Sequence, residues 1–368
     1  HQPLAPWPFY NYHTYLGYLT SSTSTVEFCS SRDRSRHVTG FGPTACAMLA
    51  STALLLALPA ELELPHPHPA HLRYVRWDAN GTADAGAGRK CHVARNILMP
   101  EESDAFAGAV RGFAANLTKL DSTDGLPAYE IYIRHQGVDT HPAAASLPAL
   151  ESRMAAFMRE TYECERCHVC SVLLRRYQSS ERVRVPSHFD RMAYVTAVAS
   201  LNPADFDGGL YLQRTARADS REYFSVGGRD LVFHQYDLNH GVEVHHGTRL
   251  SAVFWVSDTP ESCRDDVSPW YRAPAEAGSM DAQDALAELH ALGQHGYSRD
   301  AHVAAEWAKR AAEQGSAPSQ SRLGRALLAG EGVPRDAVAG LAWVKRAAEQ
   351  GHAPAEHKWL QIQLAAWV

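Results

Sequence analysis

The sequence predicts an α+β domain, with helices packed on one face of a β-sandwich or jelly roll, followed by an all-α segment of helical repeats. Three observations predict it. Two amphipathic helical stretches come before a series of short β-like runs; turn residues separate those runs; and the Ala-rich C-terminal stretch repeats itself.

Taken in order, Glu101 to Leu117 has helical spacing (Phe106, Val110, Phe113, Ala114, Leu117) with acidic residues in its first turn, which marks a helix start. Tyr129 to Ile133 alternates like a strand, and Leu147 to Tyr162 reads as a second amphipathic helix. The β-like runs are Cys170 to Tyr177, Ala193 to Ser200, Gly209 to Gln213, Glu222 to Val226, Asp230 to His234 and Arg249 to Val256. Asn202-Pro203, Asp207-Gly-Gly209 and Gly227-Gly228 supply turns between several of them.

At 368 residues the chain has room for two domains, at roughly 150 residues each. Hydrophobic residues at 45% allow a real core, and a net charge of −6 without a long basic stretch argues against nucleic acid as a partner. The uncharged run Ala45 to Leu58, with Arg32, Arg34 and Arg36 before it and Pro59-Ala60 after it, reads as a secretory signal peptide, with Met48 as a candidate start. An uncleaved membrane signal anchor and a buried core helix are the alternatives; the run is short of the about 20 residues that a span needs. Two acceptor sequons, Asn80-Gly-Thr82 and Asn116-Leu-Thr118, agree with a secretory route to the endoplasmic reticulum, the Golgi lumen or the exterior. The chain accordingly divides into a leader (1–60), a Pro/His/Gly/Ala-rich linker (61–89), an α+β domain (90–272) and a helical segment (273–368).

In the helical segment, Trp307-Ala-Lys-Arg-Ala-Ala-Glu-Gln-Gly315 returns as Trp343-Val-Lys-Arg-Ala-Ala-Glu-Gln-Gly351, a shift of 36 residues. Tyr297-Ser-Arg-Asp300 matches Val333-Pro-Arg-Asp336 at the same shift. Leu323-Gly324, Gly330-x-Gly332-Val333, Asp336, Trp343 and Ala347 to Gly351 resemble the Sel-type relatives of tetratricopeptide repeats. That resemblance implies two stacked helix pairs and the first helix of a third from Ala353, with Trp307 and Trp343 as core residues. So short an array needs a surface to pack on, either the α+β domain or a partner.

The chemistry is carried by Val183-Arg-Val-Pro-Ser-His188-Phe-Asp190. His188 and Asp190, two apart on a strand, point to one face and can grip one metal ion. A second histidine on a neighbouring strand completes a set of two His and one carboxylate, which leaves coordination positions open, as in non-haem Fe(II) oxygenases. His240, His245 and His246 all compete for that place, while His234 reads as a structural strand residue. Arg249 follows His240 by nine residues, and Ser251 shares its strand face. A buried guanidinium there can hold a carboxylate in a bidentate grip.

The series Tyr177, His188-Phe-Asp190, Phe206-Asp-Gly-Gly209, Asp230 to His234, His240-Gly-Val and Gly247-Thr-Arg249-Leu-Ser-Ala-Val-Phe-Trp255 resembles the prolyl 4-hydroxylase branch of the Fe(II)- and 2-oxoglutarate-dependent dioxygenases, over roughly residues 170–256. The resemblance implies a double-stranded β-helix (jelly roll) with flanking helices. It implies His188, Asp190 and His240 as iron ligands, Arg249 as anchor for 2-oxoglutarate, and Ser251 and Tyr177 as further contacts to that co-substrate. It also implies O2 as oxidant, ascorbate to keep iron reduced, and hydroxylation of a C–H bond coupled to oxidative decarboxylation. The substrate expected is a prolyl residue of a secretory-pathway polypeptide, procollagen-proline 4-dioxygenase-like, with the repeats docking that protein or a partner. Lysyl residues, a small molecule, or a non-catalytic scaffold are the alternatives. There are three departures from the family pattern: Tyr177 lies eleven before His188 where nine is common, Leu210-Tyr211 stands for Glu-Thr, and Arg249 stands for the usual Lys.

Beyond the leader lie Cys91, Cys164, Cys167, Cys170 and Cys263, an odd number. Cys164-x-x-Cys167-His-Val-Cys170 has zinc-like spacing, but in a secretory chain disulfides, with Cys91 or Cys263 as outside partners, are the better expectation.

Overall fold

A computed structural model describes residues 72–86, 88–111, 119–121 and 125–365. The expected leader and the sequon at Asn116 lie outside the described residues. Among the described residues, no helix is long and apolar enough to cross a membrane.

Two antiparallel sheets form the α+β domain, as a jelly roll requires. The larger runs β1(Thr82–Gly86), β2(Arg89–Ala94), β11(Leu231–Gln235), β8(Val195–Ser200), β13(Arg249–Ser257), β6(His168–Tyr177), β4(Pro127–His135) and β3(Lys119–Leu120), with β5(Val138–Asp139) on β4. The smaller sheet has the order β10(Arg221–Tyr223), β9(Phe206–Gln213), β12(His240–Gly247), β7(Arg184–His188). Pro186, which donates no ladder bond, is tolerated because β7 is an edge strand.

Alternation along the strands sorts the side chains into two layers. On the outer face of the large sheet, Val172, Leu174, Phe233, Ala252 and Phe254 pack against α1(Pro100–Arg111) and α2(Leu147–Tyr162), through Phe106, Val110, Leu150, Met154 and Met158. The opposite face turns inward, where Tyr177, Val198 and Val232 meet Val185, Leu210, Leu212, Val242 and Val244 of the small sheet. Because a one-residue slip would turn each buried row outward, this two-layer burial fixes the strand register.

The stretch 61–89, read from the sequence as a linker, contains regular structure at its end. Residues 82–86 form β1, paired to β2, and Val75 is buried with Tyr74 bridged to Tyr223. The strand is Thr-Ala-Asp-Ala-Gly; its buried positions are alanines, too weakly apolar to show a period of two. His188 ends its strand, so Asp190 stands in the following turn instead of on β7 itself.

After β13 the chain forms the short helices α3(Pro260–Arg264) and α4(Arg272–Glu276), then the helices α5(Met280–Leu292), α6(Ala301–Glu313), α7(Ala317–Ala329), α8(Ala337–Glu349) and α9(Ala353–Ala365). The repeated Asp300 and Asp336 are N-caps: Asp300 accepts from the backbone N–H groups of His302 and Val303, and Asp336 from that of Ala339. Gly324 of α7 and Gly340 of α8 let those two helices touch, since a Cβ on Gly324 would lie 2.8 Å from the Gly340 carbonyl. Trp307 is 8% exposed and Trp343 half-buried in the helical core, with Arg310 and Arg346 stacked over their rings at 4.5 and 4.7 Å.

The cysteines form disulfides, Cys164–Cys167 and Cys170–Cys263, and Cys91 is a buried free thiol. The second disulfide ties the start of β6 to α3, across 93 residues of chain. Closing so long a loop restricts the unfolded ensemble, so a Cys170→Ser/Cys263→Ser variant is expected to lose about 2–5 kcal/mol of unfolding free energy. Urea denaturation checks this; an unchanged midpoint would show that the bridge adds nothing to stability.

Candidate metal centre

β7 and β12 are antiparallel neighbours in which His188 faces His240 in register. Their rings are 4.6 Å apart, centroid to centroid. The turn after β7 brings Asp190 back between them: Asp190 Oδ1 is 3.5 Å from His188 Nε2, and Oδ2 is 3.4 Å from His240 Nε2. One ligand atom from each of the three lies within 4.8 Å of the others. Asp190 and His240 are 4% exposed, and the His188 side chain, at 26%, forms the rim.

Hydrogen bonds on the far side fix what each group presents. His188 Nδ1 contacts the Pro186 carbonyl at 2.9 Å, and His240 Nδ1 the Leu238 carbonyl at 3.0 Å. A carbonyl only accepts, so both Nδ1 atoms carry the proton and both Nε2 lone pairs turn toward Asp190. Thr196 Oγ1 donates to Asp190 Oδ2 at 2.7 Å and orients the carboxylate. Three acceptors that converge in a buried place repel one another unless a cation joins them. Burial opposes charge on the Asp190 carboxyl, yet His240 and His188 hold it well below the usual range; burial likewise opposes charge on His188, and the Asp190 carboxylate raises it. The donor set fits Fe(II): two imidazoles and a carboxylate on one side, with the other positions open.

His234 is fully buried, its ring 4.3 Å from that of His240, and burial pushes it down to about 3, so it stays neutral. It backs the ligand and is not one of the three convergent groups. His245 bonds the Tyr223 hydroxyl at 3.0 Å and His246 is exposed, so neither takes the place of His240.

Arg249 opens β13 opposite Tyr177 of β6 and is 1% exposed. Its Nη2 donates to Ser200 Oγ at 3.3 Å, its Nε has no partner, and among the described residues no carboxylate pairs with it. Burial pushes its guanidinium down to about 10. The Tyr177 and Phe206 rings flank it at 5.5 and 5.8 Å. Nearby Arg175 is different: Asp121 and Glu130 both pair with it. A Cβ on Gly209, whose φ is +105°, would lie 2.7 Å from the Phe206 ring and 3.5 Å from Arg249 Nε, so this glycine keeps room beside the cation. Ser251 is fully buried and donates to the Arg175 carbonyl at 3.4 Å; the Tyr177 hydroxyl lies 3.5 Å from Arg175 Nη1. The eleven-residue gap from Tyr177 to His188 therefore leaves Tyr177 beside Arg249. Phe206, part of the family-like series, completes the surroundings with Thr196 and Ser200, which no sequence signal singles out. As ordinary strand residues, Thr196 and Ser200 are placed only by their register on β8.

Residues 281–316 and 317–352 each match the Sel1 repeat family model. No curated protein is significantly similar to the chain. Among solved structures, a 2OG-Fe(II) oxygenase family oxidoreductase from Burkholderia pseudomallei is 15% identical, over 51% of this chain and 97% of its own, with a TM-score of 0.39. A prolyl-4-hydroxylase from Pseudomonas putida is 20% identical, over 46% and 93%, at 0.35. A Sel1 repeat protein from Oxalobacter formigenes is 35% identical, over 25% of this chain and 68% of its own, at 0.24. Residues 281–352 are thus two consecutive units that match the Sel1 repeat.

Proposed function

We propose that the jelly-roll domain is an Fe(II)- and 2-oxoglutarate-dependent dioxygenase that hydroxylates a C–H bond, with prolyl residues of a secretory-pathway polypeptide as substrate. One observation carries this reading: three convergent acceptors, His188 at the rim with Asp190 and His240 buried, in the same barrel as a buried guanidinium, Arg249, that has no anion of its own among the described residues. When bound, Fe(II) supplies activation of O2 and oxidative decarboxylation of the keto acid. The chain does the rest. His188, Asp190 and His240 hold the ion and leave positions open for the keto acid and O2. Arg249, with Ser251 and Tyr177, holds the distal carboxylate of 2-oxoglutarate, and Phe206 and Tyr177 keep water from it.

The prolyl substrate rests on the family resemblance and on the aromatic interior near the β4 and β13 strands, where Tyr132 and Trp255 lie 6.1 Å apart and the Trp255 indole N–H has no partner. A flat, apolar ring flanked by peptide carbonyls suits such a wall. Ascorbate serves as reductant in this reading, and the Sel1 repeats bind the polypeptide or a partner. Two disulfides and the exposed Asn80 sequon support a lumenal or secreted location. Incubation with Fe(II), 2-oxoglutarate, ascorbate and Pro-rich peptides is expected to give succinate and a +16 mass shift on a prolyl residue. Metal binding without succinate, with or without peptide, would leave a scaffold instead of an enzyme.

A further inference from the structure

We infer that the first Sel1 repeat is a working part of the metal centre, and that Asp284 is a positioning residue that holds the Asp190 turn through Arg191. This rests on the reading of His188, Asp190 and His240 as metal ligands.

Arg191 directly follows the ligand Asp190 and is 8% exposed. Its guanidinium stacks over Phe189, the residue between the two ligands of that turn, at 4.5 Å. It pairs with Asp284 of α5, a carboxylate 3% exposed that also accepts from Ser319 of α7 at 2.5 Å. Glu288, one turn further along α5, lies 3.6 Å from Arg191 Nε and 3.3 Å from Arg322 of α7. The Arg191 carbonyl accepts from the Tyr271 hydroxyl at 2.8 Å. The other ligand loop leans on the same wall: Tyr236, in the turn that delivers His240, packs its ring 4.6 Å from Tyr271. Arg89, at the start of β2, grips Asp281 of α5 through Nε at 2.9 Å.

These acidic residues are not what the repeat itself demands. At the 36-residue period, Asp281, Asp284 and Glu288 of the first unit correspond to Ala317, Gln320 and Gly324 of the second. The first unit has acquired three carboxylates on the face turned to the ligand loops, and the second has none there. A buried Arg–Asp pair contributes little net stability compared with apolar packing, but it fixes one geometry, which is what a ligand turn needs. The helical segment thus completes the site that the barrel begins, and loosening α5 lets the Asp190 carboxylate move away from the two imidazoles.

The test uses the full chain and Co(II) as the metal probe, followed by its visible absorption. Asp284→Asn keeps the shape and the Ser319 contact but removes the charge; it is expected to weaken Co(II) binding about tenfold, as loss of an outer-shell partner does. Asp336→Ala removes the N-cap of α8 and is the control, expected to lower thermal stability with unchanged Co(II) affinity. Co(II) affinity equal to wild type in Asp284→Asn, or an equal loss in Asp336→Ala, overturns the inference. Should Asp284→Asn fail to fold, Tyr271→Phe removes one hydrogen bond to the Arg191 carbonyl and is expected to weaken Co(II) roughly threefold; no change there overturns it equally. His188→Ala separates the two claims. If that variant binds Co(II) like wild type, the metal centre itself is misassigned; if it loses Co(II) while Asp284→Asn does not, only the role of the repeat falls.

Discussion

Asp190→Asn is expected to weaken Fe(II) or Co(II) binding by roughly 10²–10³-fold and to abolish succinate formation. Asp190 is the one anion among the three donors and is 4% exposed. Asparagine keeps the acceptor for Thr196 Oγ1 and nearly the same volume, so the turn and its packing survive. What disappears is the charge, and the new amide would aim N–H donors or a neutral oxygen at the ion. Removing one partner of a buried charge pair costs about 3–5 kcal/mol, and the quoted loss of affinity sits in the lower part of that range. Isothermal titration with the metal and a succinate assay read the two effects separately. Wild-type affinity in this variant would show that the carboxylate is not a ligand, and the dioxygenase reading would fail with it.

The convergence of His188, Asp190 and His240 was legible in the sequence because the pattern that points to it is local. His188 and Asp190 stand two apart, and His240 keeps a fixed distance from Arg249 along one hairpin, so neither pair depends on long-range register. The repeats were legible for a similar reason, since a recurring nine-residue segment needs no knowledge of packing. Strand β1 was not. Its inward residues are Ala83 and Ala85, and what makes it a strand is pairing with β2, whose own neighbour β11 comes more than a hundred residues later. The support of the site was hidden likewise. Thr196 meets Asp190 and Ser200 meets Arg249 only because β8 lies between β11 and β13, and Arg191 meets Asp284 across 93 residues. A polar residue on a strand shows its partner only after the sheet order is known. Cys170 falls in the same class: spacing suggested a disulfide, and the fold chose Cys263 over Cys91, which lies inside the barrel layer instead.

Arg249→Met is expected to act with opposite signs on two measurements: loss of 2-oxoglutarate binding by roughly 10²-fold or more, and a metal-free protein at least as stable as wild type. A residue that serves only the fold would lose stability when replaced. Arg249 is 1% exposed, its Nε lacks a partner, and Ser200 is its one hydrogen-bonding neighbour among the described residues. The two flanking rings recover a little of the cost of burying that charge, since cation–π contacts bring about 0.5–2 kcal/mol. An uncompensated buried ion costs several kcal/mol, and methionine fills most of the arginine stem without it. The co-substrate sees the reverse. Its distal carboxylate loses a two-pronged, charge-assisted grip in a dry place, a truncation that costs about 2–5 kcal/mol. Arg249→Lys should fall between, because an ammonium keeps the charge but offers no planar fork. Thermal melting of metal-free protein and the 2-oxoglutarate dependence of succinate formation read the two sides. A melting temperature lowered by several degrees, together with an unchanged KM for 2-oxoglutarate, would make Arg249 a structural residue and move the co-substrate elsewhere.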